Sequence, residues 1–452
     1  MKRWAPWFGL ALVSCFWIFV NRGISQSMLQ DSDTRVVLAP VRERSDPLSW
    51  FRGDWPLLNH FYRPVSTLTF ELDNALWRDW APGYGWTNAI VCALGVIALF
   101  WVIREMTDKS WLAGLSASIF GLWNVNGSSL ELLKPVLYIL AGVALVGFFR
   151  RNPVASVLAV LSLVFLATQL SPPEEFGWRV LGWLPGRTTS TMTLFALASV
   201  GAFSRYARLC GIRSVPVATP TDIPATRGTQ VAEKPKHGWI WLLVSLLSLA
   251  LALGCHEQAV VVPGVLTATW LAFRLKGIQL PGWLVGLFWA LLAAYALVRG
   301  ACVPFVASGY QRQQFRNGGG VGLALADYFL PATVWWPILR DSLAAGLELL
   351  VTLGPWLLLG QILGNIVQWK LVVTTKERWD LIWAYAASAG SFLPMAWLKP
   401  FGHYHELPCA FRAVFVVLLL TVGFRAWASA VSPRELRAPA RPSPAPGSLH
   451  RP

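Results

Sequence analysis

Between Asn21 and Tyr84 the sequence carries eight acidic residues (Asp31, Asp33, Glu43, Asp46, Asp54, Glu71, Asp73 and Asp79), seven arginines and no lysine. A carboxylate in such a segment can take the proton of an attacking hydroxyl. Guanidiniums pair in two-point fashion with phosphate or carboxylate, although GC-rich codon usage would give the same count. Two further polar groups stand apart. His256-Glu257 follows one apolar run, and His403-Tyr404-His405-Glu406 precedes another. An acidic residue near the end of an apolar run is costly to bury and points to a role, with capping or pairing to His256 as the alternative for Glu257. The 403–406 spacing alternates faces, so no metal centre is expected there. Six scattered cysteines with no CxxC pair predict no disulfide framework, Cys255–Cys302 or Cys302–Cys409 being the bridges the layout would allow.

The elements that must carry these residues are transmembrane helices. Of 452 residues 55% are hydrophobic and only 13% charged, with mean hydropathy +0.49. A soluble domain would hold about twice that charged fraction. Apolar runs recur along the whole chain, and about 20 apolar residues are what a bilayer core asks of a helix. Twelve spans are expected, near 4–20, 86–103, 110–125, 134–149, 153–170, 189–204, 239–255, 259–273, 282–299, 343–367, 380–398 and 409–427. The first has the basic start of a signal peptide but no small-x-small cleavage site, so it is expected to stay as an anchor. The net charge of +15 reports topology rather than nucleic acid, since no basic stretch interleaved with aromatics forms a groove. Lys2, Arg3, Arg150, Arg151, Arg274, Lys276, Lys370, Lys376, Arg378 and the basic tail fall on one side, which predicts both termini in the cytoplasm.

The segment 21–85 then becomes a large first outer loop. Within it, Pro64 to Trp77 predicts an amphipathic helix, with Pro64 at its first position and Val65, Leu68, Leu72 and Leu76 on one stripe. It would lie on the outer leaflet or pack on the bundle, with Trp77 and Trp80 at the interface. Residues 205–238, rich in Pro, Thr and Ala, are expected to form a flexible cytoplasmic linker. Residues 431–452 are expected to form a disordered Pro-rich tail behind a 1–430 membrane domain.

Three sets of residues resemble motifs of one family. They are Phe61-Tyr62-Arg63-Pro64-Val65-Ser66 with Leu72-Asp73, Leu76-Trp77 and Pro82-Gly83-Tyr84…Thr87-Asn88; Gly254-Cys255-His256-Glu257-Gln258 with Pro263; and His403-Tyr404-His405-Glu406-Leu407-Pro408. In this order they resemble the GT-C superfamily of polytopic glycosyltransferases. Within it they are most similar to the protein O-mannosyltransferase-like and tetratricopeptide-bearing transmembrane type, here as a bacterial relative without the repeat domain. His256 stands where the family has Lys, and the His of its Gly-Tyr-His motif is replaced by Gly85.

The resemblance implies an all-α, GT-C-like bundle in a bacterial inner membrane. It implies transfer of a sugar from a polyprenyl-phosphate-linked donor to a protein or glycan hydroxyl on the non-cytoplasmic face. Asp33, then Asp31, would be the general base, with Asp54 in reserve. Arg63, in the motif with Tyr62, would steady the phosphate, unless it is a structural partner of Asp73 or Asp54. Glu131, His256, Glu257, His403, Tyr404 and His405 would complete the substrate site. Membrane lipid, donor and acceptor are the expected partners, with no nucleic acid. No resident metal is expected, although a divalent cation as cofactor stays open. The rivals are a flippase or transporter for lipid-linked glycans, built from two pseudo-symmetric halves, a ligase or polymerase using the 300–342 loop, and a catalytically silent relative.

Overall fold

The computed structural model describes residues 4–22, 27–44, 46–125, 133–150, 156, 159–163, 170, 176–213, 238–315, 324, 328, 374–399 and 401–431. Its longer helices are α1 (Ala5–Val20), α2 (Ser32–Glu43), α3 (Pro64–Trp77), α4 (Ala81–Thr107), α5 (Ser110–Trp123), α6 (Lys134–Arg150), α7 (Arg187–Cys210), α8 (Gly238–Leu253), α9 (Val262–Leu275), α10 (Trp283–Cys302), α11 (Thr375–Phe392) and α12 (Glu406–Val431). Strand pairing among the described residues amounts to Ile212–Arg213 against Ile278–Gln279 and an isolated antiparallel bridge between Phe315 and Leu398. Four stretches, Ala81–Thr107, Glu257–Leu275, Trp283–Cys302 and Gly402–Ala428, are long and apolar enough to cross a membrane, and shorter apolar helices surround them. The chain is therefore an all-α membrane protein. The predicted spans near 153–170 and 343–367 lie wholly or mostly outside the described residues, as do 214–237 of the linker, the tail and Glu131. The start of the predicted linker is helical, since α7 continues to Cys210.

A large apolar core binds α1, α4, α5, α7, α9 and α12 through residues such as Ile18, Leu99, Phe120, Trp123, Phe203, Phe273 and Phe411. The bundle has two chemically distinct ends. At one, Lys109 and Arg425 grip Glu377 (2.6 and 2.7 Å), Lys276 pairs with Asp380, and Arg208 pairs with Asp108. The other end holds the described residues of the 21–80 segment, Cys255 to Gln258, the 299–315 stretch and Phe401 to Tyr404, tied together by hydrogen bonds such as Ser66 Oγ to the Cys255 carbonyl (3.0 Å). Residues read as belonging to one side of a membrane thus share one end.

The 21–80 segment has its own small core of Met28, Val37, Leu38, Val41, Trp50, Trp55, Phe70, Tyr84 and Leu184. It fixes α2 and α3 against the start of α4. Trp50 is fully buried and its Nε1 donates to Glu71 (2.7 Å). Helix α3 occupies the predicted range, with Pro64 at its first position. Its Leu72 and Leu76 are 56% and 59% exposed while Phe70 and Asp73 are buried, so the second half of the apolar stripe faces away from the bundle, whereas Val65 packs on the main core. Helix α4 starts at Ala81, earlier than expected, because Pro82 suits a first turn. A Cβ on Gly83 would collide with the Trp77 ring, so glycine is what lets α3 and α4 approach.

Beneath α3 lies a buried ion pair. Arg187 and Asp73 are both fully buried, with Nη1 2.5 Å from Oδ2. Arg187 Nε donates to Asn88 Oδ1 (2.6 Å), Nη2 donates to the Tyr84 carbonyl (3.1 Å), and the Thr87 hydroxyl donates to Asp73 (2.6 Å). This network joins α3, α4 and α7.

Candidate functional site

Five stretches meet around a cavity of about 130 Å³ at the loop end. They contribute Asp33 from α2; Trp55, Asn59, Phe61 and Arg63 from the loop before α3; Arg179, Trp183 and Thr188 ahead of and at the start of α7; Tyr310; and Phe401, His403 and Tyr404 ahead of α12. Asp33, Arg63, His403 and Tyr404 were anticipated from the sequence. Far apart in the chain, they line one space.

The two carboxylates at the head of α2 have different jobs. Asp31 is the N-cap: its Oδ2 accepts from Thr34 N (3.0 Å), Thr34 Oγ1 (3.1 Å) and Trp183 Nε1 (3.0 Å). It is absent from the cavity lining, and its acceptor capacity is largely spent on the fold. Asp31 caps α2 and holds the Trp183 ring, and of the two carboxylates only Asp33 lines the cavity. Asp33, two residues on, faces the cavity and makes no side-chain hydrogen bond among the described residues. It keeps contact with water, but partial burial and then the neighbouring Asp31 charge raise its carboxyl above the ordinary value, with Arg179 pulling the other way. A carboxylate raised in this way holds a proton more readily than a solvated one, as a base requires.

Asp54, the reserve candidate, is a backbone staple. Its two oxygens accept from the N–H groups of Trp55, His60 and Phe61 (2.8, 2.7 and 3.0 Å). The loop needs this, because Leu58 and His60 both sit in the left-handed region at φ 50° and 66°. Arg299 and Gln311 donate to the His60 carbonyl, and Ser308 to that of Asn59, pinning the same loop from outside. Tyr62 is also structural: its hydroxyl donates to the Phe51 carbonyl (3.1 Å), and burial pushes the phenol up to about 12.

Arg63 is buried, with its guanidinium over the Phe61 ring (4.2 Å) and the Trp55 ring (4.9 Å). Its Nε and Nη2 both donate to Glu257 Oε2 (2.8 and 2.6 Å). Neither Asp73 nor Asp54 is its partner. Glu257 therefore orients Arg63, and Nη1 has no protein partner among the described residues. A second guanidinium, Arg179, lies 5.3–5.4 Å from the rings of Trp178, Trp183 and Phe401. Aromatic faces hold both cations at little conformational cost.

His256 does not supply a third cation. It is buried, and burial followed by the charges of Arg63 and His403 pushes its imidazole well below the ordinary value. Its Nδ1 accepts from Gln258 N (3.2 Å) and its Nε2 has no partner among the described residues, so it is a neutral N-cap beneath the site. His403 lines the cavity, stacked on Phe401 (5.8 Å) and tilted against Trp183 (5.2 Å) and Tyr404 (4.4 Å), with Nδ1 unpartnered among the described residues. His405 points elsewhere, stacking on Phe392 and Tyr328 (5.0 and 5.9 Å). Glu131 lies outside the described residues. Among those residues no group of three His, Cys, Asp or Glu side chains could hold a metal, and all six cysteines are free thiols.

Arg179, Trp183 and Tyr310 were not anticipated. The first two sit in Trp178-Arg179-Val180-Leu181-Gly182-Trp183, where an arginine between two tryptophans just ahead of an apolar helix was the available signal. The result is a membrane protein whose loop end encloses one raised carboxylate, two ring-supported guanidiniums and a wall of aromatic rings. No protein-family model matches the chain, and neither the curated proteins nor the solved structures give a match.

Proposed function

We propose that the protein is a GT-C-like glycosyltransferase that moves a sugar from a polyprenyl-phosphate donor to an acceptor hydroxyl on the non-cytoplasmic face. The observation that carries this is the convergence of Asp33, Arg63 and Arg179 on one cavity beside aromatic rings. Twelve spans, cytoplasmic termini and an inner-membrane location belong to the same proposal, with the loop end outward and the Glu377 ion-pair end inward. Acceptor protein or glycan and membrane lipid are the partners. The chemistry asks for no metal.

In the proposed step the acceptor oxygen attacks the anomeric carbon and its proton passes to Asp33. The bond from that carbon to the phosphate oxygen breaks, and the electron pair leaves with polyprenyl phosphate, which gains one negative charge. Arg63 and Arg179 stabilise that growing charge in a partly desolvated site, where fixed guanidiniums are worth more than in water. Rings such as Trp183 and Tyr404 offer flat apolar faces to the C–H face of a pyranose.

Arg63→Lys tests the anion site. A lysine keeps the charge but cannot hold Glu257 through two nitrogens and still present a third. Losing charge-assisted hydrogen bonds is expected to raise the Kd for polyprenyl-phosphate sugar about tenfold. Equal affinity in a titration of wild type and variant would remove Arg63 from the donor site.

A further inference from the structure

We propose that a second cavity, on the opposite face of α2, binds the zwitterionic headgroup of a phospholipid. This cavity of about 450 Å³ lies over Leu29 and Leu38 and is rimmed by Arg35, Arg42, Glu43 and Asp79. Arg35 and Arg42 are seven residues apart and share a face of α2, whereas Asp33 is about half a turn away from both. The second cavity is therefore separate from the proposed sugar site, and its occupancy does not depend on glycosyl transfer.

Three observations select the ligand. The rim carries two cations and two anions. Arg42 Nη2 and Asp79 Oδ1 pair at 2.8 Å, while Arg35 and Glu43 form no ion pair among the described residues. A simple anion would meet two carboxylates, and a simple cation two guanidiniums. A phosphate linked to an ammonium satisfies both signs, with phosphate toward Arg35 and ammonium toward Glu43. The height is right as well: Asp79 precedes by two residues the first residue of α4, a helix long and apolar enough to cross a membrane. Headgroups occupy the several ångströms just beyond such a helix end. Finally, Leu72, Leu76 and Trp80, on and just beyond α3, are about half exposed or more and present an apolar surface beside Asp79. Acyl chains would cover that surface, whereas a water-soluble zwitterion would not.

The test is thermal unfolding of the full chain in detergent, titrated with phosphatidylethanolamine, phosphatidylglycerol of the same acyl chains, or free phosphoethanolamine. Saturating phosphatidylethanolamine is expected to raise Tm by about 4 °C, the shift for a ligand well above its Kd on a chain of this size. Phosphatidylglycerol should give less than half of that and free phosphoethanolamine none. The Arg35→Ala/Glu43→Ala double variant should lose the phosphatidylethanolamine increment. Glu43→Gln, which keeps the arginines and the shape, should let phosphatidylglycerol match phosphatidylethanolamine. Equal shifts from both lipids on the wild type, a shift from free phosphoethanolamine, or an increment that survives in the double variant would each overturn the proposal.

Discussion

Asp33→Asn is expected to lower sugar transfer by about 10²–10⁴-fold, the usual contribution of a positioned general base. The replacement is nearly isosteric, and Asp33 makes no side-chain hydrogen bond among the described residues, so the fold should be unaffected. Asp31→Asn is the control. Asparagine keeps an acceptor for the α2 cap and for Trp183 Nε1, so the rate should stay within about tenfold, while Asp31→Ala should cost about 1 kcal/mol in stability through the lost cap. The pH profile gives an independent check. The base must be ionised, and burial with the Asp31 charge raises its carboxyl. Activity should be full well above that raised value. It should fall as pH drops through it, at a higher pH than the roughly 3.9 of a solvated aspartate. A profile flat down to pH 4 would exclude Asp33 as the titrating base.

Removing either member of the Asp73–Arg187 pair is expected to cost about 3–5 kcal/mol, because the remaining charge is left buried and unpaired. Asp73→Ala strands Arg187, and Arg187→Ala strands Asp73; both are fully buried. The double replacement by apolar residues of similar volume, Asp73→Leu with Arg187→Met, should recover much of the loss. Thermal unfolding of the three variants checks this. Near-additive losses in the double variant would mean that the two groups act on the fold independently.

That pair also marks the limit of what the sequence makes legible. Local signals carry well. Pro64 and the Val65–Leu68–Leu72–Leu76 spacing place α3 to the residue. The dense Tyr62-Arg63-Pro64 motif points to Arg63, and the ordered motifs bring Glu257, His403 and Tyr404 to the same end. Partner choice between distant segments leaves no periodic trace. Asp73 reads as one acidic residue on a solvated helix, and Arg187 as one basic residue in a loop, until the fold buries both. Asp31 and Asp33 are equivalent as letters, and the helix boundary decides between them: the residue just ahead of α2 caps it, and the one inside it is left for the cavity. His256 reads as a substrate-site residue standing where the family has Lys, and its depth, followed by the charges of Arg63 and His403, is what holds the imidazole neutral.

The most direct measurement follows the donor itself. Full-length protein in proteoliposomes would receive a polyprenyl-phosphate hexose carrying label in the sugar, and the fate of the label would be scored. The proposed function predicts that label leaves the lipid for acceptor hydroxyls as free polyprenyl phosphate accumulates, and that Asp33→Asn abolishes both. Donor that stays intact, or that crosses the bilayer with its sugar still attached, would contradict it.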